Sequence, residues 1–178
     1  MKDVVIIDCQ NDFIDGSMAV ENGEEVVNNI IEFLDDDMKV YYTSDFHPSD
    51  HISFNPQGGP WPAHCVEGTL GAEIDDAFYN TSHAPNDENV YFKGRSPKHE
   101  EYSGFKARNS KDKTLNEILS DEVIVVGIAS EFCVRETALD LKNSGRNVII
   151  YKDLLGYVDR ENHEANIEDL KEKGIEIR

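Results

Sequence analysis

The sequence predicts an α/β fold, a mostly parallel sheet covered by helices on both faces. Short apolar runs without polar alternation recur along the chain, as strands buried on both sides require. Segments with apolar residues at helical spacing fall between them. The 178 residues hold no internal repeat, low-complexity stretch or linker, so one domain over 1–178 is expected.

The elements follow in order. Val4 to Ile7 is the first apolar run. From Glu24 to Asp36, Val26, Val27, Ile30, Ile31 and Leu34 keep a helical spacing. Val40 to Thr43 predicts a second strand and Val90 to Phe92 a third. Thr114 to Leu119 predicts part of a short helix ahead of Val123 to Val126, the strongest strand signal in the chain. Cys133 to Asn143 then reads as helix, with Val134, Ala138 and Leu141 on one side and Gly145 as terminator. Val148 to Tyr151 is another strand. A polar helix around Glu161 to Lys173 and a short strand from Ile175 to Ile177 close the chain. The stretch from His47 to Asn89 is poor in regular signals and rich in Pro, Gly, Asn and His, which in a compact domain marks a functional loop.

Composition narrows the partners. Asp+Glu number 36 against 17 Lys+Arg, a net charge of −19. That charge opposes nucleic acid and anionic membrane surfaces alike. No apolar stretch approaches membrane-spanning length, and the acid-broken N-terminal run is not a signal peptide. Cys9, Cys65 and Cys133 are too few, and odd in number, for a disulfide framework. A cytoplasmic enzyme with a small-molecule substrate is expected, its oligomeric state open, a homo-oligomer included.

Parallel sheets bind ligands beyond the carboxyl ends of their strands. Asp8 ends the first predicted strand, Asp45 follows the second, Lys93 follows the third and Cys133 lies just past the Val123–Val126 strand. Ser130 is a reasonable N-cap, which puts Cys133 in a first helical turn, where the dipole and free N–H groups favour a thiolate and an oxyanion. The plainer alternative is a small buried cysteine packing helix on sheet. Asp8 is open to reading as a loop-stabilising carboxylate and Lys93 as a solvated lysine. Together they form a base, a cation and a nucleophile on one rim.

Asp45, His47, His51 and His64 make a second cluster, a carboxylate and three imidazoles in one short window. Such oxygen and nitrogen donors suit a first-row divalent metal, zinc first, with iron and manganese compatible. Polar loop histidines are the alternative, and His51 also suits a supporting hydrogen bond. His83, His99 and His163 read as surface residues. Phe13, Trp61 and Tyr102 lie in the motif-bearing loops, suited to wall a flat ring or simply to anchor those loops. Cys9 and Cys65 read as packing residues.

In order along the chain, Val5-Ile6-Ile7-Asp8-Cys9-Gln10-Asn11-Asp12-Phe13, Asp45-Phe46-His47-Pro48 with His51-Ile52-Ser53-Phe54, and Trp61-Pro62-Ala63-His64-Cys65 are followed by two more segments. These are Lys93-Gly94 with Tyr102-Ser103-Gly104-Phe105, and Gly127-Ile128-Ala129 with Cys133-Val134. The ordered set resembles the nicotinamidase/pyrazinamidase branch of the isochorismatase-like cysteine hydrolases. That resemblance implies a three-layer, doubly wound, Rossmann-like fold with six mostly parallel strands. It implies a catalytic triad of Asp8, Lys93 and Cys133 and a divalent metal on Asp45, His47 and His64, with His51 as a variable fourth ligand. It further implies a cis peptide between Ile128 and Ala129, and an oxyanion hole from the N–H groups of Ala129 and Cys133. The implied reaction is hydrolysis of nicotinamide to nicotinate through a thioester, within NAD salvage, with pyrazinamide as a second substrate and Phe13, Trp61 and Tyr102 around the ring.

The sequence departs from the family at Ser130-Glu131-Phe132, where Thr-Asp-Tyr is frequent, and at Phe46, where Trp is frequent. Isochorismatases and carbamoyl-amide hydrolases share the strand-end residues but not the histidine cluster. A metal-free hydrolase of the superfamily and a silent scaffold of the same fold are the rival readings.

Overall fold

Val4, Val5, Ile6 and Ile7 are all fully buried, and that is possible only for a strand with neighbours on both sides and cover on both faces. In the computed structural model, which describes residues 1–178, they form β1 (Lys2–Ile7) at the middle of the sheet. The other strands are β2 (Met38–Asp45), β3 (Val90–Lys93), β4 (Glu122–Gly127), β5 (Asn147–Leu155) and β6 (Glu176–Ile177). Their order is β3-β2-β1-β4-β5-β6 and every pairing is parallel. The sheet is therefore six-stranded and wholly parallel, where a mostly parallel one was expected.

Period-two alternation divides the strands between two cores. Val4, Ile6, Ile124 and Val126 point to one face, against Val26, Val27 and Ile30 of α2 (Gly23–Phe33) and residues of α1 (Asn11–Ile14). Val5, Ile7, Val123 and Val125 point to the other, where Leu115 of α3 (Leu115–Ile118), Ala138 and Leu141 of α4 (Arg135–Asn143), and Ile167 and Leu170 of α5 (Arg160–Glu172) pack. Each fully buried Val, Leu or Ile contributes about 1.5–3 kcal/mol relative to exposure, so both layers are held by apolar burial.

Several boundaries differ from the sequence expectation. The helix expected to Asp36 stops at Phe33, because Leu34 turns extended and Asp35 starts a turn. β5 runs to Leu155, past Tyr151, through exposed Lys152 and Asp153 that interrupt the apolar run. Thr114 does cap α3, in a capping box with Glu117. Ser130 does not cap α4. It opens a π-type turn (Ser130–Val134), and its hydroxyl is engaged elsewhere.

The sheet order reverses between β1 and β4, so the crevice at their carboxyl ends is the switch point of the fold. β4 approaches β1 tightly there. A Cβ on Gly127 (φ +114) would lie 2.2 Å from the Ile7 carbonyl oxygen, so only glycine fits. The peptide between Ile128 and Ala129 is cis.

Candidate active site

The crevice brings together Asp8 directly after β1, Asp45 at the end of β2, Lys93 at the end of β3 and Cys133 in the π-type turn after β4. All four are buried. Asp8 adopts a left-handed backbone conformation (φ +46), which Asp tolerates better than most residues, and this turns its carboxylate into the crevice. The Asp8 N–H donates to Thr43 Oγ1 at 3.2 Å, and Thr43 Oγ1–H donates back to Asp8 Oδ1 at 2.6 Å. Lys93 Nζ lies 2.8 Å from Asp8 Oδ2, donates to Asp45 Oδ1, and sits 3.4 Å from Cys133 Sγ. One acceptor atom each from Asp8, Asp45 and Cys133 lies within 4.8 Å of the others.

Burial and charge set the protonation of this group. Burial lifts the Asp8 carboxyl above its ordinary value, and the Lys93 ammonium only partly offsets that. Burial also pushes the Cys133 thiol well up, with Lys93 opposing and the carboxylates of Asp8 and Asp45 adding to the rise. Burial would lower Lys93, but Asp45 and Asp8 together hold it well above the usual lysine range. The resting arrangement is thus a protonated thiol beside a basic carboxylate, with a permanently charged ammonium against both. A first helical turn favours a thiolate, and against that burial and the two carboxylates hold the proton on Cys133.

The second cluster shares the crevice wall. His47 Nδ1 donates to the Gly94 carbonyl at 2.8 Å, and His64 Nδ1 donates to the Pro62 carbonyl at 2.8 Å. Each ring therefore directs its Nε2 away from its carbonyl partner. His47 Nε2 is buried, has no hydrogen-bond partner, and lies 3.4 Å from Asp45 Oδ2. Donor atoms of Asp45, His47 and His64 lie within 4.8 Å of one another. Two neutral imidazole donors oriented by backbone carbonyls, with a carboxylate between them, fit a divalent cation. Burial disfavours a charged His47, yet the neighbouring Asp45 outweighs it and raises the pKa of the ring.

His51 is arranged otherwise. Its Nε2 donates to the His99 carbonyl at 3.0 Å, so Nδ1 carries the lone pair and accepts from Ser53 Oγ at 2.7 Å. Both nitrogens are engaged, with the ring centroid 4.0 Å from that of His47. The structure does not bring His51 to the point where Asp45, His47 and His64 meet.

A narrow pocket opens over Cys133, His64 and Asp45. Phe13, Trp61 and Tyr102 line it, and so does Phe132, whose ring lies 5.3 Å from Trp61 and 5.7 Å from Tyr102. Trp61 Nε1–H donates to Tyr102 Oη at 3.2 Å and fixes both walls. The narrow, mostly apolar pocket suits a small flat ligand.

Sequence reasoning missed the residues that hold these groups. The Gln10 amide brackets Asp45, accepting from its N–H and donating to its carbonyl, both at 2.8 Å. Asp12 Oδ2 accepts from the Cys65 N–H at 2.8 Å and fixes the turn that carries His64. Thr43 orients Asp8, as described above. Gln10 and Asp12 stood inside the Asp8–Phe13 segment, but only tertiary contact gives them these tasks. His163, expected on the surface, is buried against Tyr157 and Ser130. His99 is exposed and His83 half-buried, its Nε2 donating to the Asp35 carbonyl. Cys9 and Cys65 are buried in the first core.

Gly94 gives a direct test of the imidazole cluster. It sits at φ +69, and a Cβ there would lie 2.4 Å from His47 Cε1 and 2.6 Å from Nδ1. Gly94→Ala is expected to cost about 1–2 kcal/mol in backbone strain. By displacing His47 it should weaken metal binding about 10–100-fold, measured by competition with a chromophoric chelator. Unchanged affinity would remove His47 from the ligand set.

Known proteins point the same way. The isochorismatase domain family model matches residues 3–178. The nicotinamidase/pyrazinamidase of Mycobacterium tuberculosis is 34% identical over 188 residues, covering 99% of this chain and 98% of the relative. Among solved structures, a pyrazinamidase of Pyrococcus horikoshii in complex with zinc superposes with a TM-score of 0.85 at 33% identity, covering 99% of this chain and 98% of that one. PnC1 from L. infantum in complex with nicotinate gives 0.86 at 32%, covering 99% and 92%.

Proposed function

The chain belongs to the isochorismatase family, which its match over residues 3–178 shows, and from that premise we propose that it is a metal-dependent nicotinamidase. It hydrolyses nicotinamide to nicotinate and ammonia, and pyrazinamide to pyrazinoate. The nicotinamidase/pyrazinamidase relative and the nicotinate-bound neighbour support that substrate. One observation carries the reading: a single pocket is lined by Cys133 and by Asp45 and His64, two members of the group of cation-ready donors.

Asp45, His47 and His64 would hold the ion, with His51 backing the His47 ring. Zinc is the proposed metal, supported by the zinc-bound neighbour, and the donor set also admits iron or manganese. When bound, the ion supplies a Lewis-acid site for the ring nitrogen of the substrate. The walls of Phe13, Trp61, Tyr102 and Phe132 hold the ring flat and exclude water.

Asp8 takes the Cys133 proton as Sγ attacks the carboxamide carbon. The N–H groups of Ala129 and Cys133 receive the developing oxyanion. Asp8 then delivers its proton to the amide nitrogen, the C–N bond breaks, and ammonia leaves a thioester on Cys133. Asp8 next removes a proton from water, whose oxygen attacks the thioester, and the C–S bond breaks to release nicotinate. The departing sulfur recovers its proton from Asp8. Lys93 steadies Asp8 and the sulfur whenever either is anionic.

No helix is long and apolar enough to cross a membrane. A cytoplasmic place in NAD salvage follows from the proposed substrate. Ammonia release from nicotinamide by the zinc-loaded protein tests the function. Activity should vanish on chelation and return with zinc. Turnover of carbamoyl compounds with none of nicotinamide would overturn it in favour of a metal-free relative.

A further inference from the structure

Cys133 sits in a turn that ordinary helix geometry does not hold. Ser130–Val134 make one wide π-type turn ahead of α4, with no side-chain cap. Such turns recur at functional sites. Here the bracing comes from across the fold. Ser130 is fully buried, and each of its polar atoms has a partner. Its N–H donates to the Gly156 carbonyl at 2.8 Å, and its carbonyl accepts from Asn166 Nδ2 at 2.8 Å. Its Oγ lies 2.7 Å from His163 Nδ1 and accepts from Asn166 Nδ2 at 3.2 Å.

The second layer of contacts is equally directed. Arg135 Nη1 donates to Asn166 Oδ1 at 2.7 Å, which turns the amide nitrogen toward Ser130. The His163 ring stacks on Tyr157 at 4.8 Å. With Asn166 donating to Oγ, the hydroxyl proton is free for His163 Nδ1. Neither His163 nor Asn166 lines the substrate pocket. Apolar burial of Ile167 and Leu170 docks α5 on the sheet without them. Buried polar networks of this kind fix one geometry more than they add stability.

We propose that His163 and Asn166, acting through Ser130, are positioning residues for the nucleophile. They fix the turn that aims the Cys133 thiol and the N–H groups of Ala129 and Cys133 at one point. This rests on the reading of Cys133 as nucleophile. A displacement of about 1 Å at reacting atoms costs on the order of 100-fold in rate.

Two variants separate positioning from packing. His163→Leu keeps apolar bulk but leaves the Ser130 hydroxyl without its acceptor. His163→Asn restores a polar group where Nδ1 stood. His163→Leu is expected to lower kcat on nicotinamide by about 10–100-fold with KM and bound zinc unchanged, and His163→Asn to recover most of that loss. Wild-type kcat in His163→Leu, or a loss that His163→Asn fails to reduce, would overturn the inference. Alkylation of Cys133 by iodoacetamide, followed by peptide mass spectrometry, needs the same aligned sulfur but neither metal nor nicotinamide. It should slow in parallel in His163→Leu, and an unchanged rate would also overturn the inference. If the wild-type protein releases no ammonia from nicotinamide, the substrate reading falls, and alkylation still decides the role of His163.

Discussion

Cys133→Ala will lose nicotinamide hydrolysis by about 10⁴-fold or more while the protein still folds and still binds its metal, because removing a covalent nucleophile costs on this scale. The side chain is small and buried, so truncation removes little packing. What it removes is the thiol that faces the pocket beside Asp8 and Lys93. Nicotinamide binding measured by calorimetry should survive, since ring walls and imidazole cluster are untouched. Mass spectrometry of wild-type protein quenched during turnover should show Cys133 carrying a nicotinoyl group. Residual activity of a few per cent in Cys133→Ala would mean that water, not sulfur, attacks the amide.

The second large effect belongs to Lys93. Its ammonium is buried between the carboxylates of Asp8 and Asp45. Lys93→Met keeps the length of the side chain and deletes the charge, leaving two buried carboxylates face to face. Breaking a buried ion pair from one side costs about 3–5 kcal/mol, because an uncompensated charge stays behind. In a chain of this size that corresponds to a melting temperature lower by on the order of 10 °C. Activity should fall at least about 100-fold, the effect of losing one electrostatic stabiliser at a reacting centre. The two losses have one origin, so a Lys93→Met protein of wild-type melting temperature would contradict the buried ion-pair network itself.

The parts of this fold that were legible in the sequence are those where one residue type has one physical outcome. Val4–Ile7 and Val123–Val126 cannot be exposed on either face, and both became central strands. The strand-end positions of Asp8 and Cys133 followed from these two runs, and those of Asp45 and Lys93 from Val40–Thr43 and Val90–Phe92. What stayed hidden depends on partners far along the chain. His163 stands in a helix of Glu, Asn, Asp and Lys, and only the Tyr157 ring and the Ser130 hydroxyl make it an interior residue. Ser130 looked like a helix cap because a hydroxyl before a helix usually is one, but α5 had claimed it. Glu131 had no sequence signal either, and its carboxylate accepts from the N–H groups of Val158 and Asp159, tying a pocket-wall residue to the nucleophile turn. The His51 tautomer depends on a carbonyl 48 residues away.

The central place of β1 has a consequence for how the chain is made. β1 is synthesised ahead of both its neighbours: it can pair with β2 early but meets β4 only after more than a hundred further residues. Until then Val4–Ile7 offer an open apolar edge, the kind of surface that recruits wrong partners during slow parallel-sheet assembly. The excess of acidic over basic residues, 36 against 17 in the whole chain, keeps such half-made chains apart by mutual repulsion. Nascent chains halted before Glu122 should therefore aggregate as salt is raised, and chains released after β4 should not.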